Sequence, residues 1–234
     1  MRDLLPELKD ALAGTDWNSN IAIFVAMPDV PNRMALCMDR IAIWSRQIEE
    51  ADSENPALPF MRDVQICGQQ TIALGALAMY RPSASAMRAL VENVLKYSYF
   101  RTHPSELATL GRETGYYVER NDIMEYHAQH TLHFSTCQEA FGLTSLLNTW
   151  YKDISGIVHG QIPGRWISGT SLNNIKHDTQ YLHALVTKFE EGETLAHYIL
   201  LCTVARDLWS GVSHDAKKAL LRGLTGDQKK SLRL

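Results

Sequence analysis

The sequence predicts an all-α fold, a bundle of about eight or more helices, and three observations point there. Apolar residues recur at spacings of three and four along most of the chain, the period of a helix that buries one face. Prolines, glycines and capping residues fall between these runs, where helices start and stop. Alternating strand patterns are scarce; IAIFVAM, residues 21–27, is the one stretch that could be a strand, and a lone strand has no partner to pair with. The 234 residues, 45% of them hydrophobic, suffice for one sizeable core without disulfide or metal staples. A single helical domain over residues 1–234 is therefore expected.

Met34, Met38, Ile41, Trp44, Ser45 and Ile48 share one helical face, which sets a long helix over about residues 31–52. SENPALP breaks it with two prolines. A second helix covers about residues 58–80, and its TIALGALAMY half is small and apolar on every side, the mark of a helix surrounded by others. Pro82 and Ser83 open a third, with Pro in the first turn where its missing N–H costs nothing. Between residues 102 and 134 the signals shorten: Pro104 and Ser105 start a brief helix, Gly111 and Gly115 loosen it, and residues 120–130 suit another. Ser135 or Thr136 then caps a helix that continues, bent at Gly142, to about His159. Gly160, Pro163 and Gly164 stop it, and the polar loop GQIPGRWISGTSLNN follows. Periodicity returns over about residues 177–190 and 193–209. Ser213 caps a closing pair, DAKKALLRGL and TGDQKKSLRL, with Asp and Thr near the starts and Lys or Arg near the ends, as the helix dipole favours.

The formal charge of −3, from 23 Lys+Arg against 26 Asp+Glu, removes the electrostatic argument for a nonspecific nucleic-acid coat or a membrane-surface binder, while leaving room for local basic pockets. No apolar run approaches the ~18 to 20 residues of a membrane span, and the most apolar stretch, residues 71–80, is too short. MRDLLPELKD carries acidic residues and lacks the basic-then-apolar order of a secretory signal, so a cytoplasmic location and no membrane partner are expected. Cys37, Cys67, Cys137 and Cys202 are widely spaced without a CxxC pair and read as free buried thiols in a reducing compartment. Gly-rich phosphate loops, nucleophile elbows, HExxH helices and dinucleotide fingerprints are missing, and no cofactor is expected.

Four groups of residues carry chemistry. Arg88, Glu92 and Lys96 stand four apart and so line one helical face. The plain reading is a solvated ladder, but Met87, Leu90, Val91, Val94 and Leu95 crowd the line, which makes it a semi-buried stripe whose charges need partners. Arg120 and His127 are seven apart, two turns, and project from the same face about 10 Å apart along the axis. Arg stabilises a phosphate charge and His moves a proton near neutral pH. Together they are the minimum for metal-free RNA cleavage, in which the ribose 2′-OH attacks its own phosphate. His127, His130 and His133 drift by about 60° per step, too far to face one ion together, and no metal site is expected. In YKDISGIVHG, Ser155 and His159 stand one turn apart, with His159 at a helix C-terminus, as a second candidate for proton transfer or for facing a phosphate.

The stretch SASAMRALVENVLKYSYFRTHPSE, followed downstream by WYKDISGIVHG, resembles a group of bacterial helical proteins that pair an Arg-xxx-Glu helix with a Tyr-xxx-Ser-xxx-His helix end. That group is similar to the HEPN superfamily, whose members are helical bundles and often dimers. The resemblance implies a HEPN-like core over about residues 58–160, with the helices of about residues 177–234 packed on it. It also implies RNA or nucleotide handling, because many HEPN proteins are metal-independent ribonucleases of toxin–antitoxin, phage-defence and abortive-infection systems that use an Arg and a His four to six residues apart. On that pattern Arg120 would hold the scissile phosphate, His127 would shuttle the proton, and Asn121 would orient one of them. Arg88, Glu92, Ser155 and His159 would line or brace the same pocket. His159 sits at the helix end that best matches the superfamily's histidine, with Lys152 and Ser155 where its Arg stands, so two histidines compete for one role. If His159 takes it, the motif is degenerate, and the alternative is a non-catalytic adaptor or antitoxin-like module. The resemblance further implies a homodimer that clamps RNA between its bundles, and a partner protein from a defence or toxin system.

Overall fold

The computed structural model describes residues 4–169 and 171–234; Met1, Arg2 and Asp3 of the leading MRDLLPELKD, and Thr170 of the polar loop, lie outside the described residues. Among the described residues every regular element is helical. The chain begins with α1 (Leu5–Ala13) and α2 (Trp17–Ala26). Residues 21–26 of IAIFVAM are thus helix, with Met27 as the C-cap, so the one stretch that could be a strand is not one. Asp16 caps α2 by accepting the Ser19 backbone N–H at 2.8 Å, and Asn20 and Phe24, one turn apart, are its buried residues. A seven-residue apolar run fits both periods, and without a neighbouring strand only the helix satisfies its own backbone groups.

In α3 (Val30–Ala51), Met34, Cys37, Ile41, Trp44, Ser45 and Ile48 form one buried stripe, the face that the spacing predicts. α4 (Leu58–Ala76) and α5 (Tyr80–Phe100) make an antiparallel hairpin, tied where Ser83 Oγ donates to the Thr71 carbonyl at 2.7 Å. The surrounded helix is α5 rather than the TIALGALAMY half of α4. Thirteen of the twenty-one residues of α5 are buried, whereas only residues 71–76 of TIALGALAMY belong to α4, which ends at Ala76 rather than near 80, and Ala73 within them is exposed. Small side chains there reflect close packing of one face, since α5 has α4, α7, α9 and α10 as neighbours.

Next come α6 (Pro104–Arg112), α7 (Arg120–His130), α8 (Phe134–Phe141) and α9 (Leu143–Val158). The bend predicted at Gly142 is a complete break. Its φ of +61° ends α8 and starts α9, a left-handed conformation that glycine adopts without strain. The reverse holds downstream, where α10 (Thr179–Thr203) runs unbroken through Gly192. That glycine exists for packing: a Cβ there would stand 2.7 Å from the Trp150 ring of α9. α11 (Ala205–Leu208), α12 (His214–Leu220) and α13 (Gly226–Leu232) close the chain. Ser213 accepts from Ala216 N–H, and Thr225 with Gln228 forms a capping box, as the residue pattern predicts.

The core is built around α10, which packs on α3, α5 and α9, and ion pairs Arg33–Glu190 and Arg40–Glu193 tie α3 to it. The four cysteines are free and buried, and burial pushes the Cys37 thiol up to about 12. Among the described residues no single helix is long and apolar enough to cross a membrane. α9 lies along α5, and the segment after α6 returns the start of α7 to the α5–α9 edge. Three helices thus meet there with polar side chains.

Candidate functional site

On α5 the spacing of four sets Arg88, Glu92 and Lys96 in line, and on α9 the same spacing sets Tyr151, Ser155 and His159 in line. Side by side, the two rows meet. Arg88 Nε donates to Glu92 Oε1 at 2.9 Å, Nη2 to the Tyr151 hydroxyl at 2.7 Å, and Nη1 to His159 Nε2 at 2.7 Å. Tyr151 in turn donates to Glu92 Oε1 at 2.6 Å, closing a triangle around one carboxylate oxygen. A guanidinium has only donors, so His159 Nε2 is the acceptor and the ring proton sits on Nδ1.

Burial works against the charge on Arg88, and the bonds from Glu92 and Tyr151 more than offset it, so its pKa is raised. Burial and then the neighbouring Glu92 likewise raise the Tyr151 phenol, which stays protonated as a donor. The second arginine comes from the first residue of α7. Arg120 lays its guanidinium over the Tyr151 ring, 4.4 Å from the centroid, and Arg88 lies 4.8 Å from the same centroid. Arg120 donates to Asn121 Oδ1 at 3.2 Å and has no carboxylate partner among the described residues. Arg88, Glu92, Arg120, Asn121 and Tyr151 line a cleft of about 460 Å³, together with Lys96, Tyr117 and Glu119. Lys96 lies 5.9 Å from the Phe60 ring centroid and also has no carboxylate partner among the described residues. Arg88, Lys96 and Arg120 outnumber Glu92 and Glu119 by one charge, so the cleft suits an anion.

Arg88, Glu92, Arg120 and Asn121 therefore line one cleft, and His159, exposed and outside that lining, is joined to it only through its hydrogen bond with Arg88. His127 is not. It lies on the face of α7 that packs against α5, is 2% exposed, and borders a different cleft with Arg101, His130 and Cys202. Ser98 Oγ donates to the Leu95 carbonyl at 2.8 Å, so it accepts from His127 Nε2–H at 2.9 Å, and Thr131 Oγ1 supplies the proton to Nδ1 at 2.7 Å. Burial, with His103 and Arg101 nearby, pushes this imidazole down to about 4. The Ser98–His127 contact is also no nucleophile–base pair, because the serine proton is committed elsewhere. The expectation that Arg120 and His127 act as a pair is corrected by this burial. One helix face runs from an open cleft at Arg120 into a packed contact at His127.

Ser155 is likewise displaced from its expected role. It lies one turn before His159, but its Oγ is buried without a hydrogen-bond partner and does not border the cleft. The polar cleft residues given no role from the sequence are Tyr117, 69% exposed, Glu119 and Tyr151. Tyr151 carried a signal, because it stands two turns before His159 on the same face. Among the described residues no group of three or more His, Cys, Asp or Glu side chains could hold a metal ion.

Comparison with family models, curated proteins and solved structures finds no match for this chain. The site therefore rests on its own geometry.

Proposed function

We propose that this chain is a HEPN-like protein that acts on RNA as a metal-independent endoribonuclease of a bacterial phage-defence or toxin system, working at the Arg88–Arg120–Tyr151 cleft with His159 bonded to Arg88 beside it. The observation that carries this reading is the Arg88 guanidinium, held by Glu92 and Tyr151 and aimed at the ring nitrogen of His159, with Arg120 and Lys96 uncompensated beside it. Cleavage by the 2′-OH needs a cation at the phosphate and a group that takes and returns a proton. Arg120 and Lys96 would draw in the phosphodiester, Arg88 would share its N–H groups with the phosphate oxygens, and the His159 Nε2 lone pair thereby released would accept the hydroxyl proton. Asn121 would hold Arg120 in place. A homodimer and a partner protein from the same defence system remain part of this proposal.

The test is incubation of a fluorescent single-stranded RNA with the purified chain in EDTA. Cutting that persists in EDTA and disappears in His159→Ala and Arg88→Ala, but survives in His127→Gln, is the expected result. Uncut RNA would refute catalysis. One observation favours the second reading, a non-catalytic binding module: the His159 lone pair is engaged by Arg88 in the free protein. RNA that binds in a salt-dependent manner but stays intact would select it.

A further inference from the structure

The chain has nine tyrosines, and among the described residues the fold makes use of eight. Each of the eight has a hydroxyl hydrogen bond or a ring partner. Tyr117, in the segment between α6 and α7, has neither and is 69% exposed. Its backbone is nevertheless held on both sides. The Tyr116 hydroxyl donates to Glu106 Oε2 at 2.8 Å and the Tyr116 N–H to the Glu113 carbonyl at 3.1 Å, while Arg120, three residues on, begins α7 over the Tyr151 ring. From this anchored segment Tyr117 lines the cleft of about 460 Å³, a size that suits a small ligand. The cleft carries two kinds of surface. Arg88, Lys96 and Arg120 supply cations, and Leu95, Val118 and Ile123 supply an apolar wall that an inorganic anion would not use. The Tyr151 ring is already taken by two guanidinium groups, at 4.8 and 4.4 Å from its centroid, so the aromatic face still free in the cleft is that of Tyr117. Cations beside an unpartnered aromatic ring suit a ligand that joins a phosphate to a flat, weakly polar group, as a nucleotide does.

We infer that Tyr117 is the base-stacking residue of this cleft, which takes one unpaired nucleotide of an RNA strand with its base on the Tyr117 ring and its phosphate at Arg120 and Lys96. This role rests on the RNA reading above and adds to it that the bound anion must carry an unpaired base. Within a duplex both faces of a base are covered by its neighbours, so only a strand that can turn a base outward can use the ring. Every base has a π-face, so the contact discriminates base from no base rather than one base from another. Tyr117 brings no charge, and its share of the binding is therefore independent of salt, whereas the share from Arg120 and Lys96 falls as salt rises.

The experiment uses the full chain and measures, by fluorescence anisotropy in competition with a labelled RNA, the binding of a short single-stranded RNA and of an abasic ribose–phosphate strand of the same length and charge. The base-bearing strand should bind about 5- to 100-fold more tightly, the gain expected from one stacked base. Tyr117→Ala should bring the two strands to parity with the salt slope unchanged, Tyr117→Trp should keep the preference, and Arg120→Ala should weaken both strands alike. A fluorescent adenine analogue in the strand should be quenched on binding to the parent and to Tyr117→Trp, but not to Tyr117→Ala. Equal binding of the two strands by the parent, or a preference and quenching that survive in Tyr117→Ala, would overturn the stacking role and leave the RNA reading standing. Failure of both strands to bind at low salt would remove the RNA reading, and this role with it. The comparison of strands on the parent chain can overturn the role by itself, whatever a substitution does to folding.

Discussion

Lowering the pH from about 7 to about 5 should destabilise this protein by several kcal/mol through two histidines that the fold keeps neutral. His127 is 2% and His197 1% exposed, and His197 Nδ1 accepts the Trp44 indole N–H at 2.9 Å. Burial pushes His127 down to about 4. Burial, aided by Arg40 and opposed by a backbone contact to Leu220, pushes His197 down to about 3. In the unfolded chain both titrate near ~6.5, so on acidification the unfolded state takes up protons that the folded state refuses. Stability is therefore full above about 6.5 and is lost as the pH falls toward the folded values. At ~1.4 kcal/mol per pH unit, each histidine withdraws about 2 kcal/mol between 6.5 and 5, and the pair about 4 kcal/mol. Glu193 works the other way: burial, opposed by Arg40, raises its carboxyl, so its contribution opposes that of the histidines. Glu49 and Glu106, lowered by Arg62 and by Tyr99 respectively, lose their contribution only below the ordinary carboxylate range, outside this window. Urea unfolding followed by tryptophan fluorescence at both pH values measures the loss. His127→Gln and His197→Gln should each remove about half of the pH dependence, whatever they do to stability at neutral pH. A stability flat to within ~0.5 kcal/mol, or a double variant with the parent's pH dependence, would refute the reasoning.

Three further outcomes are expected. Gly192→Ala, which in an exposed helix would stabilise by up to ~1 kcal/mol, should instead cost about 1–3 kcal/mol in a thermal melt, because its Cβ would enter the Trp150 ring. Arg88→Ala should cost about 1–3 kcal/mol in urea unfolding, since Glu92, Tyr151 and His159 all lose a bond. Arg88→Lys should recover little of that, because one ammonium cannot reproduce three N–H directions. Arg120→Ala should leave stability within ~0.5 kcal/mol, yet lower the salt slope of RNA binding by about one phosphate contact in fluorescence anisotropy, since among the described residues its hydrogen bond is to Asn121 alone.

The elements that sequence reading placed well are those whose apolar stripe is long. α3 shows its face over several turns, and the α5 stripe identifies both its buried side and its charged line. IAIFVAM left helix and strand open because seven apolar residues in a row contain no period, and the deciding cap, Asp16, lies one turn upstream of them. Gly142 and Gly192 are alike in sequence, yet one ends a helix and the other seats a tryptophan. The difference lies in Trp150, which is remote along the chain. The site follows the same rule. Spacing on one helix shows that Arg88 aligns with Glu92, or Tyr151 with His159, but the bond between Arg88 and His159 depends on how α5 and α9 pack. The Arg120–His127 pairing failed for a related reason: helical spacing fixes a shared face without saying that one end of the face is open and the other closed.

The exchange of His127 for His159 also changes what the chemistry demands. A buried imidazole with both nitrogens satisfied by hydroxyls has no path to a phosphodiester, whereas His159 has one nitrogen engaged by a cation that a phosphate competes for. In the free cleft Arg88 is balanced by Glu92, so the net attraction for an anion comes from Arg120 and Lys96 set against Glu119 alone. Under the proposed function an incoming phosphate would meet those two cations first and would compete with His159 for Arg88. If that displacement occurs, binding itself uncovers the base, and phosphate affinity and proton transfer are coupled through one guanidinium. If Arg88 keeps its three protein partners, the same cleft still holds the anion but has no lone pair to offer, and it remains a binding site.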